Sequence, residues 1–579
     1  MTLLRNISES LKRTGVPNYI ADFIEKSYEG TRTEMRSADG VVELRIRRGV
    51  RQGDPLSPRI WNCGMDPLIE ELDSSGRGLS VEGNHVAALA FADDLVLIGK
   101  DKVKALKLLK KTRAFFEKLG MKISIQKCMT FEIESKRDTY TCLNPNLVLD
   151  GEEIPHLQVN DFTKYLGARV SAWRGVVKSS SGSDLIDAIN RTASLPLKPW
   201  QKLSLVRDRL IPHYLFELII NKPSQTSLKE LDTGVRARVK EMLHLPHSVT
   251  DCLFHTSRGN GGLGMIVLER TCAYANLKHW AQMLGSGDST LRDIAQSEAM
   301  ERNMMRLANS VGLNPPGTVV DIEAAKVQFK ESIRESWAAL PSQGQGVDEF
   351  RGNSLSNQWL FRPWLLKPSR FTTALQFRTN TTGTKAVTGR YSADNNVLCR
   401  NCHLLPETLA HVLGQCIVTK PARMHRHNEI LNIVKDALIR NGWDVFVEAE
   451  LVYKNKQYKP DILCFNKTSK EARIYDVTVR YERDSYLLDG ANGKVVKYGS
   501  LIEHLAVERG YSKFKVVPVV VGSRGALPTY TRASLMNLGL KKGDLITVSL
   551  IALRSSMEMY HAFLDYRQGG GGHRRRLNR

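Results

Sequence analysis

The sequence predicts a multidomain chain, mixed α/β at both ends and α-helical between. Three observations predict it. Short strand-like apolar runs alternate with helical patterns over residues 1–175, and again beyond residue 421. From about 180 to 390 the spacing is mostly helical and strongly basic. A cysteine- and histidine-rich segment at 399–416 parts that stretch from the second α/β region. At 579 residues the chain exceeds what one core sustains, and about three or four domains are expected.

Bulk composition narrows the function. Hydrophobic residues at 42% and charged residues at 25% are ordinary for a globular protein and exclude a disordered chain. Lys and Arg total 83 against 61 Asp and Glu, a net charge of +22. An excess spread over several domains points to a polyanionic partner, most simply nucleic acid. A membrane surface competes as partner, but no apolar run is long enough to span a bilayer. The opening "MTLLRNISESLKRTG" has the pattern of an amphipathic helix and lacks the apolar core of a signal peptide. Nine cysteines, mostly scattered, suggest reduced thiols, and the three that cluster suggest a metal.

Taken in order, residues 1–30 read as two short helices closed by Gly15 and Gly30. "RTEMRSADGVVELRIRRG" reads as a hairpin with Asp39-Gly40 at its turn. In "RRGVRQGDPLSPRIWN", Gly49 and Gly53 allow close backbone approach, Arg48 and Arg51 supply positive charge, and Pro55 and Pro58 open a helix. Such a turn suits a phosphate-bearing ligand; it also suits a plain surface loop. "ALAFADDLVLIG" sets Asp93 and Asp94 at the tip of a tight hairpin. Adjacent carboxylates repel unless a cation sits between them, so a divalent metal competes with a solvated turn as their explanation. "KVKALKLLKKTRAFFEKLG" is a basic amphipathic helix ending at Gly120, and "KCMTFEIES" and "KYLGARV" complete the unit near residue 172.

"RRGVRQGDPLSP", "FADD", "LGMKISIQKC" and "KYLGARV" stand in the order found in reverse transcriptases, and this stretch resembles the palm of a non-LTR retrotransposon polymerase. The resemblance implies that Asp93 and Asp94 hold two divalent ions, magnesium or manganese, which activate a primer 3′-hydroxyl and stabilise the leaving pyrophosphate. It implies that Gln52 and Gly53 border template and incoming nucleotide, and that "YLGARV" supports the primer end. Lys127 is a candidate proton donor or phosphate contact, or else a solvated lysine at a strand start. The family's palm takes a third carboxylate from a strand ahead of a helix like "TLLRNISESLKRTGVP", and Met1 stands just past that place. Glu9, Asp22, Glu25 and Glu29 lie in helix-like segments. The expectation is a partial palm, in a truncated chain that does not copy RNA alone.

"LKELDTGVRARVKEMLHLPHSVTDCLFHTSRGNGGLG" carries apolar residues at helical spacing with Arg and Lys opposite. After a palm, the resemblance makes it a thumb that grips template and primer phosphates. In "CRNCHLLPETLAHVLGQC", Cys399 and Cys402 with His411 and Cys416 have the spacing of a tetrahedral zinc site. Its four protein ligands leave no open position, so the site is structural. His403 is a rival ligand, made awkward by its adjacency to Cys402. The family implies a CCHC knuckle touching nucleic acid here.

Beyond the knuckle, "YKPDILCF" and "RIYDVTV" place Asp461 and Asp476 on neighbouring strands, followed by "GKVVKY". Two carboxylates and a lysine match restriction-like nucleases, in which a divalent ion activates water and lysine stabilises the phosphate. A restriction-type motif puts lysine at 478, where Thr478 stands; retrotransposon nucleases of this class place it on the following helix. Lys494 and Lys497 are equal candidates, with Tyr498 beside them. Arg426 and His427 in "ARMHRHNEI" resemble a run implied to touch the scissile DNA.

The expected layout is palm 1–175, thumb-like helices 176–300, helical linker 301–395, knuckle 396–420, restriction-like nuclease 421–565 and basic tail 566–579. It resembles the site-specific non-LTR retrotransposons of ribosomal RNA genes, whose nuclease nicks target DNA to prime reverse transcription of the element RNA. Element RNA, target DNA and dNTPs are the implied partners, with no membrane, and the nucleus is the implied site of action of a protein made in the cytoplasm. The alternative is a catalytically silent nucleic-acid-binding remnant.

Overall fold

A computed structural model describes residues 2–28, 32–37, 40–45, 50, 53–137, 139–177, 180–313, 317–389 and 396–566. The chain divides into two compact units, each built from separate stretches. One comprises Met1–Ser181, Phe216–Pro223 and Cys272–Ile322; the other comprises Gly182–Leu215, Ser224–Thr271 and Glu323–Arg579.

In the first unit, helices Thr2–Arg13 and Asn18–Tyr28 close on helix Ser57–Asp73 through Leu11, Ala21, Ile24, Tyr28 and Ile60. Gly15 adopts φ +85°, the left-handed stop expected at the first helix end. Pro58 lies in the first turn of Ser57–Asp73, where its missing N–H costs nothing. At the far end of that helix, the Asp73 carboxylate accepts the Ala87 N–H at 2.8 Å and fixes where the carboxylate hairpin begins. The hairpin pairs Ala88–Phe91 with Asp94–Leu97, Phe91 facing Asp94. Its inner side, through Ala88, Leu95 and Leu97, packs on Met65, Leu68, Leu72 and on Leu108 of helix Lys102–Lys118. The strands of this unit form hairpins and one three-stranded sheet, and among the described residues the carboxylate hairpin pairs with no third strand. Helix packing therefore supplies the support that a lone hairpin lacks in water.

The second unit joins two parts of the thumb-like stretch, Gly182–Leu215 and Ser224–Thr271, to Glu323–Arg579, while Phe216–Pro223 and residues 272–300 of that stretch belong to the first unit. The "RGNGGLG" loop is the joint. Asn357 Nδ2 donates to Gly259 O (2.7 Å) and to Phe350 O (2.8 Å), and Gly352 N donates to Asn260 Oδ1 (3.0 Å). Gly261 has φ +93°, and a Cβ there would lie 2.3 Å from the Arg378 guanidinium, so only glycine fits.

Strands Asp444–Val447, Ile462–Asn466, Glu471–Arg480 and Lys513–Gly522 form a four-stranded sheet in that order. The first three are antiparallel; the last pairs in parallel with Glu471–Arg480 after a crossover through helix Tyr486–Glu508. Side chains alternate across this sheet. Ile462, Cys464, Tyr475 and Val477 pack on helices Lys420–Arg440, Thr529–Asn537 and Lys542–Asp565. Leu463, Phe465, Ala472 and Ile474 pack on Tyr498, Leu501, Ile502 and Leu505 of the crossover helix. Burial on both faces explains the continuous apolar "KVVPVVVG". Sequence reading missed the small hairpin of Leu451–Tyr453 and Lys456–Tyr458. Among the described residues no helix is long and apolar enough to cross a membrane.

Candidate functional site

The C-terminal sheet sets two carboxylates where its middle strands meet. Asp476 lies on the crossover-helix side and is buried, with 2% of its surface exposed. Lys494, on the third turn of helix Tyr486–Glu508, brings Nζ to 2.6 Å from Asp476 Oδ1. Burial, then the nearby Asp461 charge, raise the Asp476 pKa, while Lys494 and the Tyr498 hydroxyl hold it down. Burial and the Asp476 charge push the Tyr498 phenol upward, so it stays a protonated donor at neutral pH.

Asp461 precedes strand Ile462–Asn466. Its Oδ2 accepts from Val477 N at 2.7 Å and from His427 Nε2 at 3.0 Å. The His427 ring also meets Val477 O on that nitrogen (3.1 Å) and Asn428 Oδ1 on the other (3.1 Å). Acceptors at both nitrogens favour the imidazolium, and the Asp461 hydrogen bond raises the His427 pKa accordingly. The other Asp461 oxygen has no protein hydrogen bond among the described residues. Two carboxylates that repel, one with an open oxygen, can take a divalent cation, which would relieve the raised Asp476.

The Cys/His segment converges. Ligand atoms of Cys399, Cys402, His411 and Cys416 all lie within 4.8 Å of one another. Cys399 and Cys416 sulfurs are 4.0 Å apart, and Cys402 Sγ is 3.3 Å from His411 Nε2. Sulfurs on one tetrahedral zinc sit about 3.8 Å apart, given Zn–S bonds of about 2.3 Å. The Cys402 N–H points at Cys399 Sγ (3.5 Å), and His403, at φ +55°, is exposed and outside the cluster. Burial pushes the Cys416 thiol up to about 12 and lowers the His411 pKa. Three sulfurs packed this closely, with a neutral imidazole, fit a soft cation that would stabilise thiolates.

In the first unit, Asp93 and Asp94 are exposed at the hairpin tip. Neither carboxylate is ion-paired among the described residues. Ala92 takes φ +51°, a strained conformation for a residue with a Cβ. Trp61 Nε1 holds that turn by donating to Ala92 O at 2.7 Å, a support not legible in the motif. Tyr165 is close enough that, after burial, the Asp94 charge helps raise its phenol, so the "KYLGARV" hairpin approaches the carboxylates.

Residues 4–170 match the family model for reverse transcriptase (RNA-dependent DNA polymerase). A Pol polyprotein from type-2 retrotransposable element R2DM of Drosophila melanogaster is 28% identical over 499 residues, 85% of this chain and 46% of that protein. Two Pol polyproteins from type-1 retrotransposable element R2 of Popillia japonica are each 28% identical, covering 90% and 93% of this chain and 72% and 90% of theirs. The chain is a relative of the R2-type retrotransposon polyproteins. It spans about half the length of the Drosophila relative.

The structure brings together the four Cys/His residues, and it groups Asp461, Asp476, Lys494, Tyr498 and His427. Lys494, and not Lys497, pairs with Asp476; Lys497 is exposed and donates to the Tyr498 hydroxyl at 2.9 Å. Lys127 is exposed on a single turn, Ile125–Lys127. Gly53 adopts φ +88° in open space; Arg48, Arg51 and Gln52 lie outside the described residues, as does the basic tail beyond 566. Arg426 corrects an expectation. It is 2% exposed, and its guanidinium donates to Ser556 Oγ (2.6 Å) and Leu413 O (3.0 Å). Buried between the Cys/His segment and the C-terminal helix, it cannot reach a DNA strand; it holds the helix that carries His427.

Proposed function

We propose that this chain belongs to the machinery of target-primed reverse transcription in a retroelement, carrying part of the palm of an RNA-directed DNA polymerase and a target-nicking endonuclease. The observation that carries the reading is the grouping of Asp461, Asp476 and Lys494 in a chain whose residues 4–170 match the reverse transcriptase family model. Element RNA, target DNA and dNTPs are the substrates on this reading, and the nucleus is the place of action.

Asp461 and Asp476 would hold a divalent ion, magnesium or manganese, whose chemistry when bound is to activate water and neutralise charge on the scissile phosphate. His427 orients Asp461 through its Nε2 hydrogen bond. Lys494 offsets the burial of Asp476 and carries positive charge to where phosphate charge develops. Asp93 and Asp94 would hold the polymerase ions, with Tyr165 at the primer side. Cys399, Cys402, His411 and Cys416 would hold a structural zinc.

Magnesium-dependent nicking of supercoiled DNA, wild type beside Asp476→Ala, tests this. Nicking by the wild type and a loss of at least a hundredfold in the variant are expected. Tight DNA binding with no nicking by either protein would overturn the nuclease and leave a silent nucleic-acid-binding protein.

A further inference from the structure

A second cationic feature of the larger unit belongs to neither centre. Residues from the thumb-like stretch, the linker and the C-terminal helix enclose a cleft of about 540 Å³. Trp200 and Trp364 line it, with Lys198, Lys367, Arg370 and Arg554. Glu558 is the one carboxylate among its lining residues, and none of the four cations is ion-paired among the described residues. Two of them are braced by backbone. Arg370 Nη1 donates to Met557 O at 3.3 Å, and Arg554 donates to Leu365 O. These bonds hold each guanidinium in place and leave its charge uncompensated.

The two tryptophans differ. Trp200 is buried, edge-on to Phe371 at 5.9 Å, with Lys198 Nζ 5.5 Å from its ring centre. Trp364 is 68% exposed, on the short turn Pro363–Leu365. A large ring left in water beside unpaired cations makes little sense for folding. It is the arrangement that binds single-stranded nucleic acid, a π-face for a base with cations spaced for the flanking phosphates. A duplex hides its base faces and could use only the charges.

The geometry points to this cleft as a binding site for single-stranded polynucleotide, one base stacked on Trp364 and the adjoining phosphates on Lys198, Lys367 and Arg554. Such a site presupposes the nucleic-acid reading above and is separate from the carboxylate centres. The strand is RNA or displaced DNA, which share this chemistry.

Fluorescence anisotropy of the full chain with labelled oligo-U RNA, oligo-dT DNA and a 20-base-pair duplex tests it. Removing one stacked base costs about 1–3 kcal/mol, so Trp364→Ala is expected to weaken single-strand binding about tenfold while duplex binding changes less than twofold. Trp364→Phe should recover most of the loss. Lys198→Glu/Lys367→Glu should weaken single-strand binding and flatten its salt dependence. Loss with RNA alone assigns the cleft to RNA, and loss with both oligomers assigns it to any single strand. Equal single-strand binding by wild type and Trp364→Ala would overturn the cleft but leave the nuclease reading standing. A wild type that binds none of the three overturns both.

Discussion

Lys494 and Lys497 stand one helical turn apart, and the sequence offers no ground for choosing between them. What separates them is the pitch of helix Tyr486–Glu508 against the strand carrying Asp476. Gly490 lies against Arg480, where a Cβ would meet Nε at 2.7 Å, so the helix can approach the strand. That approach turns Lys494 inward to Asp476 and leaves Lys497 in solvent. Lys494→Ala should therefore cut nicking by two orders of magnitude or more, while Lys497→Ala changes it less than threefold. Single-turnover cleavage rates decide this, and equal losses in the two variants would refute the assignment. The carboxylates were legible from their order after the Cys/His segment and from the family resemblance, since strand-like runs with an isolated Asp are common by themselves. His427 was legible as a residue but not as the partner of Asp461, which depends on how two elements distant in sequence pack.

At the scale of elements, amphipathic helices and tight turns read well. "SPRIWNCGMDPLIEELD" and "KVKALKLLKKTRAFFEK" carry their burial in their own spacing and fold as helices of those residues. "YLGA" turns between its strands with Leu166 at φ +48° and Gly167 at +82°. Strand partnership reads poorly, since pairing is decided by the whole surrounding sheet. The Cys/His segment was legible because ligand spacing is local chemistry. Its helix Leu409–Gly414 is only six residues long and would not persist alone. Asn401 Nδ2 also ties it to Phe563 O at 2.8 Å, and Glu407 to Arg400. Zinc chelation should speed amide exchange over 399–416 and the first turns of helix Lys420–Arg440, leaving residues 2–177 unchanged. Exchange by mass spectrometry, with metal counted before and after, checks this. Collapse of both regions would contradict a local structural role, and a purified chain carrying no zinc would remove it.

At the scale of the whole molecule, the larger unit draws three distant stretches of chain together around buried charge, which no window of sequence reveals. Glu482 and Arg524 are 0% and 1% exposed and pair at 3.0 Å. Glu482 Oε1 also accepts the Arg524 N–H at 2.8 Å, and Arg524 reaches Gln345 O (2.7 Å) and Phe377 O (3.3 Å). Arg378 stacks 3.4 Å from the Phe350 ring centre and donates to Asn357 Oδ1 at 2.9 Å, which leads on to the glycine-rich loop. Burial pushes its pKa down to about 9, so it stays charged at neutral pH. Arg524 thus pairs directly with the buried Glu482, whose charge also acts on Arg378 without a hydrogen bond. Removing that carboxylate strands the Arg524 guanidinium in a low-dielectric interior, a loss of about 3–5 kcal/mol for a buried pair broken on one side. Glu482→Gln should destabilise the second unit by that amount in denaturant unfolding. Because the network spans linker and C-terminal sheet and reaches the thumb-like loop, those parts should lose structure in one transition. Glu482→Gln with Arg524→Met should recover much of the loss, since no uncompensated guanidinium then stands at position 524. A loss below 1 kcal/mol, or separate transitions for these parts in the wild type, would show that the buried network does not bind the unit together.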